Sequence, residues 1–362
     1  MKNLLRHIVI VTFAAAALLI AACSPESTGG GESTVSLQGA GASFPKPIYE
    51  KWMNEYGNLN KGIRIDYQSV GSGAGQKAIL SGTADFGASD DPMKDEDLKK
   101  AEGDLLHIPT VLGAVVLTYN LEGVDKPLNL TAEIIAGIYL GEIKKWNDPK
   151  IKADNPDAKL PDADISPVYR ADSSGTTAVF TDYLAKTSEP FKEKVGPSKQ
   201  PNWVQGVGVG AKGNDGVMGQ VKNTPNTIGY VEIAFAKENK LPAALIKNKA
   251  GKFVEASIEN VSAAAEGSSE NMPEDMRMRI TNAEGDNAYP IASYTYILAF
   301  KEQKDAAKGK ALVDFLWWAL HDGSEFAKAL HYAPLPDAVL KKVETKIDSI
   351  SADGKQLREA KK

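Results

Sequence analysis

The sequence predicts an α/β protein with mostly parallel strands, on the basis of its periodicity and composition. Apolar residues recur at helical spacing over residues 48–56, and apolar and polar residues alternate over residues 63–67. Helix-like and strand-like segments keep alternating toward the C-terminus, which is typical of a parallel sheet covered by helices. A hydrophobic content of 43% with 7% aromatic residues supports packed cores. The 362 residues are enough for two domains or one large one.

The N-terminus predicts a targeting segment that is cut before a single cysteine. Lys2 and Arg6 give a positive start, and the apolar run that follows is shorter than the ~20 residues of a membrane-spanning helix. Small residues then precede Cys23, the only cysteine of the chain, so no disulfide can form within it. Residues 1–22 are therefore predicted to be a secretory signal peptide. We expect an exported protein, located in the periplasm or at the cell surface.

The sequence around Cys23 also resembles a bacterial lipobox, in which the thiol is acylated and becomes the first residue of the mature protein. On this interpretation Cys23 is a lipid anchor to the membrane. Residues 23–34 then form a flexible tether, because only Ser, Pro, Glu, Thr and Gly follow the cysteine. The alternative is an ordinary free thiol in an uncleaved leader. Ser24 is not the aspartate that typically retains such lipoproteins in the inner membrane, which slightly favours another location.

Charge and residue spacing exclude some classes of function. A formal net charge of −5 argues against nucleic acid as a partner, because its recognition needs basic patches. No cluster of His, Cys or carboxylate residues has the spacing of a metal site, and no cofactor is predicted. The negative charge is also unfavourable for an anion, unless local donors hold it.

Four segments nevertheless have the chemistry of an anion site. Three of them, at residues 39–45, 71–75 and 170–177, combine glycine with small or hydroxyl residues just before a helical pattern. A helix start has four backbone N–H groups without intrahelical partners and about +0.5 charge, so three starts can surround one anion. The fourth segment, 85–90, predicts a strand end that delivers the Asp90 carboxylate. Each segment alone is also compatible with a tight turn and a helix cap.

Arg170 adds a full charge and a planar fork that can hold two oxygens at once. Asp172 lies two residues further on and is predicted to pair with it. Such a pair fixes the orientation of the guanidinium and offsets part of its charge. The alternative is a surface ion pair of under about 1 kcal/mol.

Taken in order, these segments resemble the phosphate-binding proteins of bacterial high-affinity phosphate import systems. The motifs that carry the resemblance span nearly the whole mature chain: GAGASFPKPIYEKW, YQSVGSGAGQKAI, TADFGASDDPM, GEIKKWND, YRADSSGTTAVFTDYL, KGNDGV and IGYVEIAFAK. The resemblance implies an α/β, two-lobed periplasmic-binding-protein fold (type II). Each lobe is then a mixed sheet flanked by helices, and the ligand lies in the cleft between the lobes.

The resemblance also implies a set of phosphate-binding residues: Ser43, Phe44, Ser72, Asp90, Arg170, Ser174, Gly175 and Thr176. Asp172 is expected to orient the Arg170 guanidinium without contacting the anion. At Ser43 threonine is common in the family, and serine keeps the hydroxyl while losing a methyl group. Ser173 replaces a frequent glycine. The serine at position 43 does not put phosphate binding in doubt, and Ser173 is expected to tighten the loop beside Asp172.

Asp90 is predicted to decide which anion binds. A buried carboxylate repels an oxyanion unless the ligand brings a proton to donate. Phosphate at neutral pH has at least one O–H group, whereas sulfate has none. Phosphate can therefore donate a hydrogen bond to Asp90, and sulfate places two acceptors against each other. Leaving a buried polar group unpaired in this way can reject an analogue by ~10⁴-fold.

The family pattern further implies the domain organisation and the partners. Residues 35–110 plus 290–346 are expected to form a discontinuous first lobe, and residues 111–289 the second. From its charge pattern, the lysine-rich end from Lys341 to Lys362 is expected to be a solvated, fraying helix, with residues 347–362 as a charged C-terminal tail. The implied partners are inorganic phosphate, the permease subunits of the importer and its cytoplasmic ATPase. A monomer is the default state.

Other functions remain open at this stage. An enzyme, a phosphatase or serine hydrolase using Ser72 or Ser174, is disfavoured because no G-x-S-x-G motif is present and the mature chain has few histidines. A surface adhesion lipoprotein leaves the anion segments unexplained. A receptor for another tetrahedral oxyanion, such as arsenate, a phosphonate or molybdate, is a closer alternative, and arsenate shares the charge, shape and proton of phosphate.

Overall fold

A computed structural model describes residues 34–124 and 126–358 of the chain. The predicted signal peptide, the lipid-bearing Cys23 and the tether up to residue 33 lie outside the described residues. The strands are β1 (Val35–Gly41), β2 (Ile63–Ser69), β3 (Phe86–Ser89), β4 (Leu105–Asn120), β5 (Asn129–Leu130), β6 (Ser166–Arg170), β7 (Val209–Ala211), β8 (Thr227–Glu232), β9 (Leu245–Lys247), β10 (Phe253–Val254), β11 (Ala292–Phe300), β12 (Ser351–Ala352) and β13 (Lys355–Gln356).

Helices cover these strands, as the alternating sequence pattern predicts. They are α1 (Lys46–Leu59), α2 (Ser72–Leu80), α3 (Asp95–Leu98), α4 (Ala132–Tyr139), α5 (Pro149–Asp154), α6 (Gly175–Thr187), α7 (Glu189–Lys194), α8 (Gly213–Asn223), α9 (Ile233–Glu238), α10 (Ile258–Ser269), α11 (Ala306–Leu320), α12 (Glu325–Ala329) and α13 (Asp337–Asp348). α1 starts where its prolines allow, since a proline in the first turn of a helix has no N–H to lose. Its apolar residues face the core.

Eight strands form one mixed sheet in the order β2-β1-β3-β11-β4-β8-β6-β7. β4 is the long central strand, and nearly every one of its 16 residues is buried. Residues 105–114 of β4 pair with β11, and residues 115–120 pair with β8. β4 thus joins one group of strands, β1 to β3 with β11, to a second group, β6 to β8. The predicted crossing near residue 111 lies within β4.

Strand direction makes the two groups point toward each other. β1, β2 and β3 are parallel to one another, and β3 and β4 are both antiparallel to β11, so β1 to β3 run in the direction of β4. β8 is antiparallel to β4 and parallel to β6, so these two strands run the opposite way. The first group lies beside the first half of β4 and the second group beside its second half. The carboxyl ends of β1 to β3 and of β6 to β8 therefore point to the middle of β4, whereas β11 runs the other way.

The C-terminal region differs from the expected fraying helix. α13 ends at Asp348, and its Val339, Val343 and Ile347 are buried against the core. β12 and β13 then form a small antiparallel hairpin. Arg358 places its guanidinium over the ring of Trp317 and pairs with Asp348 at 2.7 Å. The prediction of a solvated, fraying helix was wrong, because apolar residues at helical spacing among the lysines anchor this segment.

Two features are absent from residues 34–124 and 126–358. None of the helices there is both long and apolar enough to cross a membrane. Groups of three or more His, Cys, Asp or Glu residues arranged to hold a metal ion are also not found in this part of the chain.

The core around α11 allows a matched test of the packing. Leu316 is fully buried, whereas Leu59 at the end of α1 is 67% exposed. We expect Leu316→Ala to lower the free energy of unfolding by about 2–5 kcal/mol, because the substitution leaves a cavity in the core. Leu59→Ala should change it by less than about 0.5 kcal/mol. Urea unfolding measures both values, and equal values for the two variants would contradict this packing.

Candidate functional site

The four segments singled out in the sequence lie at the carboxyl ends of strands. Residues 42–45 follow β1, residues 70–71 follow β2, Asp90 follows β3, and Arg170 is the last residue of β6. Because β1, β2, β3 and β6 all end near the middle of β4, the topology brings all four segments together there. Ligand sites of α/β proteins lie typically at such carboxyl ends.

Ser72 links the segments from both groups of strands. Its Oγ accepts hydrogen bonds from the backbone N–H of Asp90, at 3.3 Å, and of Gly175, at 3.1 Å. A Cβ at position 175 would lie 2.4 Å from Ser72 Oγ and 2.6 Å from Asp90 Oδ2, so only glycine permits this approach. The N-terminal end of α6 is thereby held against the end of β3.

Asp90 is 1% exposed and holds an unpaired oxygen. Its Oδ1 accepts a hydrogen bond from Thr295 Oγ1 at 2.8 Å, whereas Oδ2 is buried without a hydrogen-bond partner. Burial raises the pKa of Asp90 to about 7, although the Thr295 hydrogen bond, the Arg170 charge and the nearby Ser72 hydroxyl lower it in part. Asp90 is therefore a carboxyl group that lacks a donor at one oxygen.

Arg170 is buried and oriented by two partners. Its Nε and Nη2 donate to the two carboxylate oxygens of Asp172 at 2.8 and 2.6 Å, so the predicted ion pair is present. Its Nη1 donates to Thr176 Oγ1 at 3.3 Å. A guanidinium has five N–H donors, so two remain for another acceptor. Although its partial burial opposes ionisation, the hydrogen bonds from Arg170 and its charge lower the pKa of Asp172.

Asn214 is a site residue that the sequence analysis missed. Its Nδ2 donates to Ser43 Oγ at 2.9 Å and to Thr176 Oγ1 at 3.1 Å, and its backbone N–H donates to Ser43 Oγ at 3.1 Å. The segment KGNDGV contains this asparagine and carried part of the resemblance. That segment was the available signal. Thr295 was also missed, and no local motif marks it, because it lies inside the apolar strand β11.

Three site hydroxyl groups are arranged as hydrogen-bond donors. The oxygens of Ser43, Ser72 and Thr176 each accept two hydrogen bonds from N–H groups. A hydroxyl oxygen has two lone pairs and one hydrogen. Since both lone pairs are in use, each hydroxyl keeps its hydrogen for an additional acceptor. Ser174 differs, because its Oγ accepts from Thr177 N at 3.1 Å and caps α6.

Phe44 completes the predicted set. Its ring is fully buried and packs on Gly113 of β4, where a Cβ would lie 2.5 Å from a ring carbon. Its carbonyl oxygen accepts a hydrogen bond from Tyr332 at 2.7 Å. All eight residues predicted to bind an anion are thus brought together at one buried place. The arrangement offers many donors and one unpaired acceptor, which suits a protonated oxyanion.

Neither His107 nor His321 is placed as a general base for this site. His107 Nε2 accepts a hydrogen bond from Met93 N at 3.0 Å, and burial lowers the pKa of His107 to about 4. His321 contacts Trp317 and Glu344 near the end of α11.

The pKa of Asp90 predicts a pH dependence of stability. A group with a higher pKa in the folded state holds its proton more tightly there. Asp90 therefore contributes most to the free energy of unfolding below pH 3.8, the ordinary pKa that it has in the unfolded chain. This contribution is lost as the pH rises to about 7, the pKa of Asp90 in the folded protein. The loss is at most roughly 4 kcal/mol. We expect Asp90→Asn to remove this loss, whereas Asp157→Asn, at an exposed position, should keep it. Urea unfolding from pH 4 to pH 8, on protein refolded without bound anions, measures this loss of stability. Parallel curves of unfolding free energy against pH for the wild type and Asp90→Asn would contradict the burial of Asp90.

This chain is similar in sequence to known phosphate-binding proteins. A family model described as the PBP superfamily domain matches residues 27–319. The phosphate-binding protein PstS of Pasteurella multocida is 44% identical over 325 residues, which are 89% of this chain and 93% of that protein. The protein of the same name from Methanocaldococcus jannaschii is 41% identical over 333 residues and covers 85% of each chain.

Solved structures agree in fold. A phosphate-binding protein from Stenotrophomonas maltophilia has a TM-score of 0.69 to this chain at 20% identity, over 86% of this chain and 94% of that one. The two-lobed periplasmic-binding-protein fold predicted from the sequence is confirmed.

Proposed function

Because this chain belongs to the PBP superfamily and, within it, to the PstS phosphate-binding proteins, we propose that it is an extracytoplasmic receptor for inorganic phosphate that serves an ABC importer. The observation that carries this proposal is the imbalance of donors and acceptors at the site. At the site, three hydroxyl hydrogens and two N–H groups of Arg170 are left for another acceptor, and one buried oxygen, Asp90 Oδ2, lacks a donor. A tetrahedral oxyanion that carries its own proton satisfies both sides.

Each binding residue has a definite role in this proposal. Ser43, Ser72 and Thr176 donate hydroxyl hydrogens, and Arg170 donates N–H groups to the anion oxygens. Phe44, Ser174 and Gly175 provide the backbone at the starts of α1 and α6, where the helix dipoles favour negative charge. Asp90 accepts the ligand's proton in a hydrogen bond. Asp172 keeps the guanidinium in place, so binding needs little reorganisation of the site.

The lobes and their movement follow from the same proposal. Residues 35–110 with 290–346 form the first lobe, and residues 111–289 form the second. The two chain crossings, near residues 111 and 288, act as the hinge. Closing the cleft buries phosphate between Ser43, Ser72 and Asp90 on one side and Arg170 and its neighbours on the other. Opening releases it, without a chemical step.

The remaining parts of the proposal concern location and partners. The protein is exported, is held at the membrane by a lipid on Cys23, and acts as a monomer. It delivers phosphate to the permease subunits, and the cytoplasmic ATPase powers import. The local donors compensate for the negative net charge of the chain, which only slows the approach of the anion. We propose binding without catalysis, since the oxygens of Ser43 and Ser72 each accept two hydrogen bonds and Ser174 caps α6.

Titration calorimetry on the mature protein, freed of bound phosphate, tests the function. At pH 8, where the Asp90 carboxyl is mostly ionised, we expect stoichiometric binding of phosphate and no measurable heat from sulfate. Sulfate heat comparable to that from phosphate would contradict the role of Asp90. Arsenate is expected to bind, since it carries the same proton. Hydrolysis of a chromogenic phosphate ester by the pure protein would favour the phosphatase alternative instead.

A further inference from the structure

Glu232 is a buried carboxyl group that the proposed binding mechanism does not use. It is the last residue of β8, pairs with Val115 at the middle of β4, and is fully buried. Its Oε2 accepts a hydrogen bond from Ala234 N at 2.8 Å and so caps α9. Its Oε1 is buried without a hydrogen-bond partner.

Tyr332 connects Glu232 to the loop that carries Phe44. The Tyr332 hydroxyl lies 2.7 Å from the carbonyl oxygen of Phe44 and 3.1 Å from Glu232 Oε2. A phenol has one hydrogen, and the shorter contact, to a carbonyl that can only accept, takes it. The contact between Tyr332 and Glu232 then needs a second hydrogen. A protonated Glu232 supplies it.

The surroundings of Glu232 favour the neutral acid. Burial is the main cause that raises its pKa well above the ordinary value; the Ala234 N–H, the contact with Tyr332 and the Ile233 N–H lower it in part, and the Asp90 charge at the end of β3 raises it again. Three carboxyl groups, those of Glu232, Asp90 and, from α9, Glu238, act electrostatically on Tyr332 and, after burial, raise its pKa, so the phenol keeps its proton. Burying Oε1 without a hydrogen-bond donor also costs less free energy when Oε1 is the carbonyl oxygen of a neutral acid than when it is a charged carboxylate oxygen.

Glu232 also holds the site through its backbone. Its N–H donates to Asn214 Oδ1 at 2.9 Å, which fixes the orientation of that amide. The other end of the amide, Nδ2, therefore points to Ser43 and Thr176. Through Asn214 and Tyr332, one residue fixes the two neighbouring positions Ser43 and Phe44.

We propose that Glu232 is a positioning residue of the anion site: it carries a proton at neutral pH and donates it to Tyr332, which in turn holds the Phe44 loop in its binding conformation. Glu232 does not contact the anion itself. This inference rests on the proposed phosphate site. The acid hydroxyl is needed because one atom must both accept from Ala234 and donate to Tyr332, which neither oxygen nor nitrogen of a glutamine does.

Infrared difference spectroscopy tests the proton directly. The spectra of the wild type and of Glu232→Gln are compared at neutral pH with both proteins loaded with phosphate, so that Asp90 is in the same state. We expect the wild type to show a protonated-carboxyl C=O band that the variant lacks. If only carboxylate bands disappear in the variant, the proposal is wrong.

Phosphate affinity tests the positioning, with a matched tyrosine as control. Tyr289 is also fully buried and donates to a backbone oxygen, that of Val115, but does not reach the Phe44 loop. We expect Tyr332→Phe to weaken phosphate binding roughly five- to tenfold and Tyr289→Phe to leave it within about twofold, given the usual worth of one hydrogen bond. Glu232→Gln should match Tyr332→Phe, and the double variant should be no weaker than either.

The possible failures are distinguishable. Equal affinities of Tyr332→Phe and Tyr289→Phe would overturn the positioning role while wild-type binding, and thus the proposed function, stands. A wild type that binds no phosphate would overturn both. The infrared measurement compares folded proteins with bound phosphate. If Glu232→Gln does not bind phosphate, Tyr332→Phe is measured instead. In that variant the protonated-carboxyl C=O band of Glu232 should shift.

Discussion

Asp90→Asn should turn a site that rejects sulfate into one that binds it. In the wild type, the Asp90 carboxylate accepts the phosphate proton, and sulfate has no proton to give. Asparagine presents an N–H donor at the same place, so sulfate no longer meets an unpaired acceptor. We expect the preference for phosphate over sulfate to fall by roughly 10²- to 10⁴-fold. Phosphate affinity itself should change far less, since the hydroxyl groups and Arg170 remain.

Competition calorimetry with both anions at pH 8 measures this ratio. Asp91→Asn is the matched control: Asp91 is the next residue and is also buried, but its carboxylate pairs with Arg279 rather than facing the site. That variant should keep the selectivity even if it lowers stability. Wild-type protein should itself gain sulfate affinity as the pH falls through about 7, where Asp90 takes up a proton. An unchanged ratio in Asp90→Asn would remove Asp90 as the selecting residue.

Arg170→Ala should weaken phosphate binding by roughly 10²- to 10³-fold. The substitution removes the charge and the two N–H donors that remain beyond its contacts with Asp172 and Thr176. Removing one partner of a buried charge pair costs typically about 2–5 kcal/mol in binding. It also leaves Asp172, whose side chain is 12% exposed, without its cation. Stability should therefore fall as well, by about 3–5 kcal/mol.

A second substitution separates these two effects. In Arg170→Ala combined with Asp172→Asn, no uncompensated carboxylate remains, so much of the lost stability should return while affinity stays low. Arg170→Lys keeps the charge without the planar fork and should lie between the wild type and Arg170→Ala. Calorimetry gives the affinities, and urea unfolding gives the stabilities. Near wild-type affinity in Arg170→Ala would show that the guanidinium does not hold the anion.

The sequence allowed prediction of the chemical groups of the site because they lie in short, local motifs. Gly-Ser-Gly-Ala-Gly at a helix start, and Arg170 two residues before Asp172, are recognisable without knowledge of the fold. Asn214, Thr295 and Glu232 were not recognised as site residues, because their roles depend on contacts with distant segments. Asn214 contacts Ser43, 171 positions away, and Thr295 contacts Asp90, 205 positions away.

At the C-terminal end, too, the sequence-based prediction did not identify the residues that become buried. Its lysines indicated a solvated segment, but the apolar residues between them decide the outcome. Val343 and Ile347 bury on one face of α13 while the lysines stay on the other. The lysine content of the segment indicates only its exposed face. The helical spacing of its apolar residues is the signal that predicts the buried face.

The sequence by itself determined the family, the α/β alternation and the donors that suit an oxyanion. Only the tertiary structure decided that these donors meet, because their segments follow strands that run in opposite directions beside the two halves of β4. Tertiary structure also decided which hydroxyls keep a free hydrogen and that Asp90 has one oxygen without a donor. The physical reason is that hydrogen-bond saturation and burial depend on the neighbours that folding brings together, which no local motif specifies.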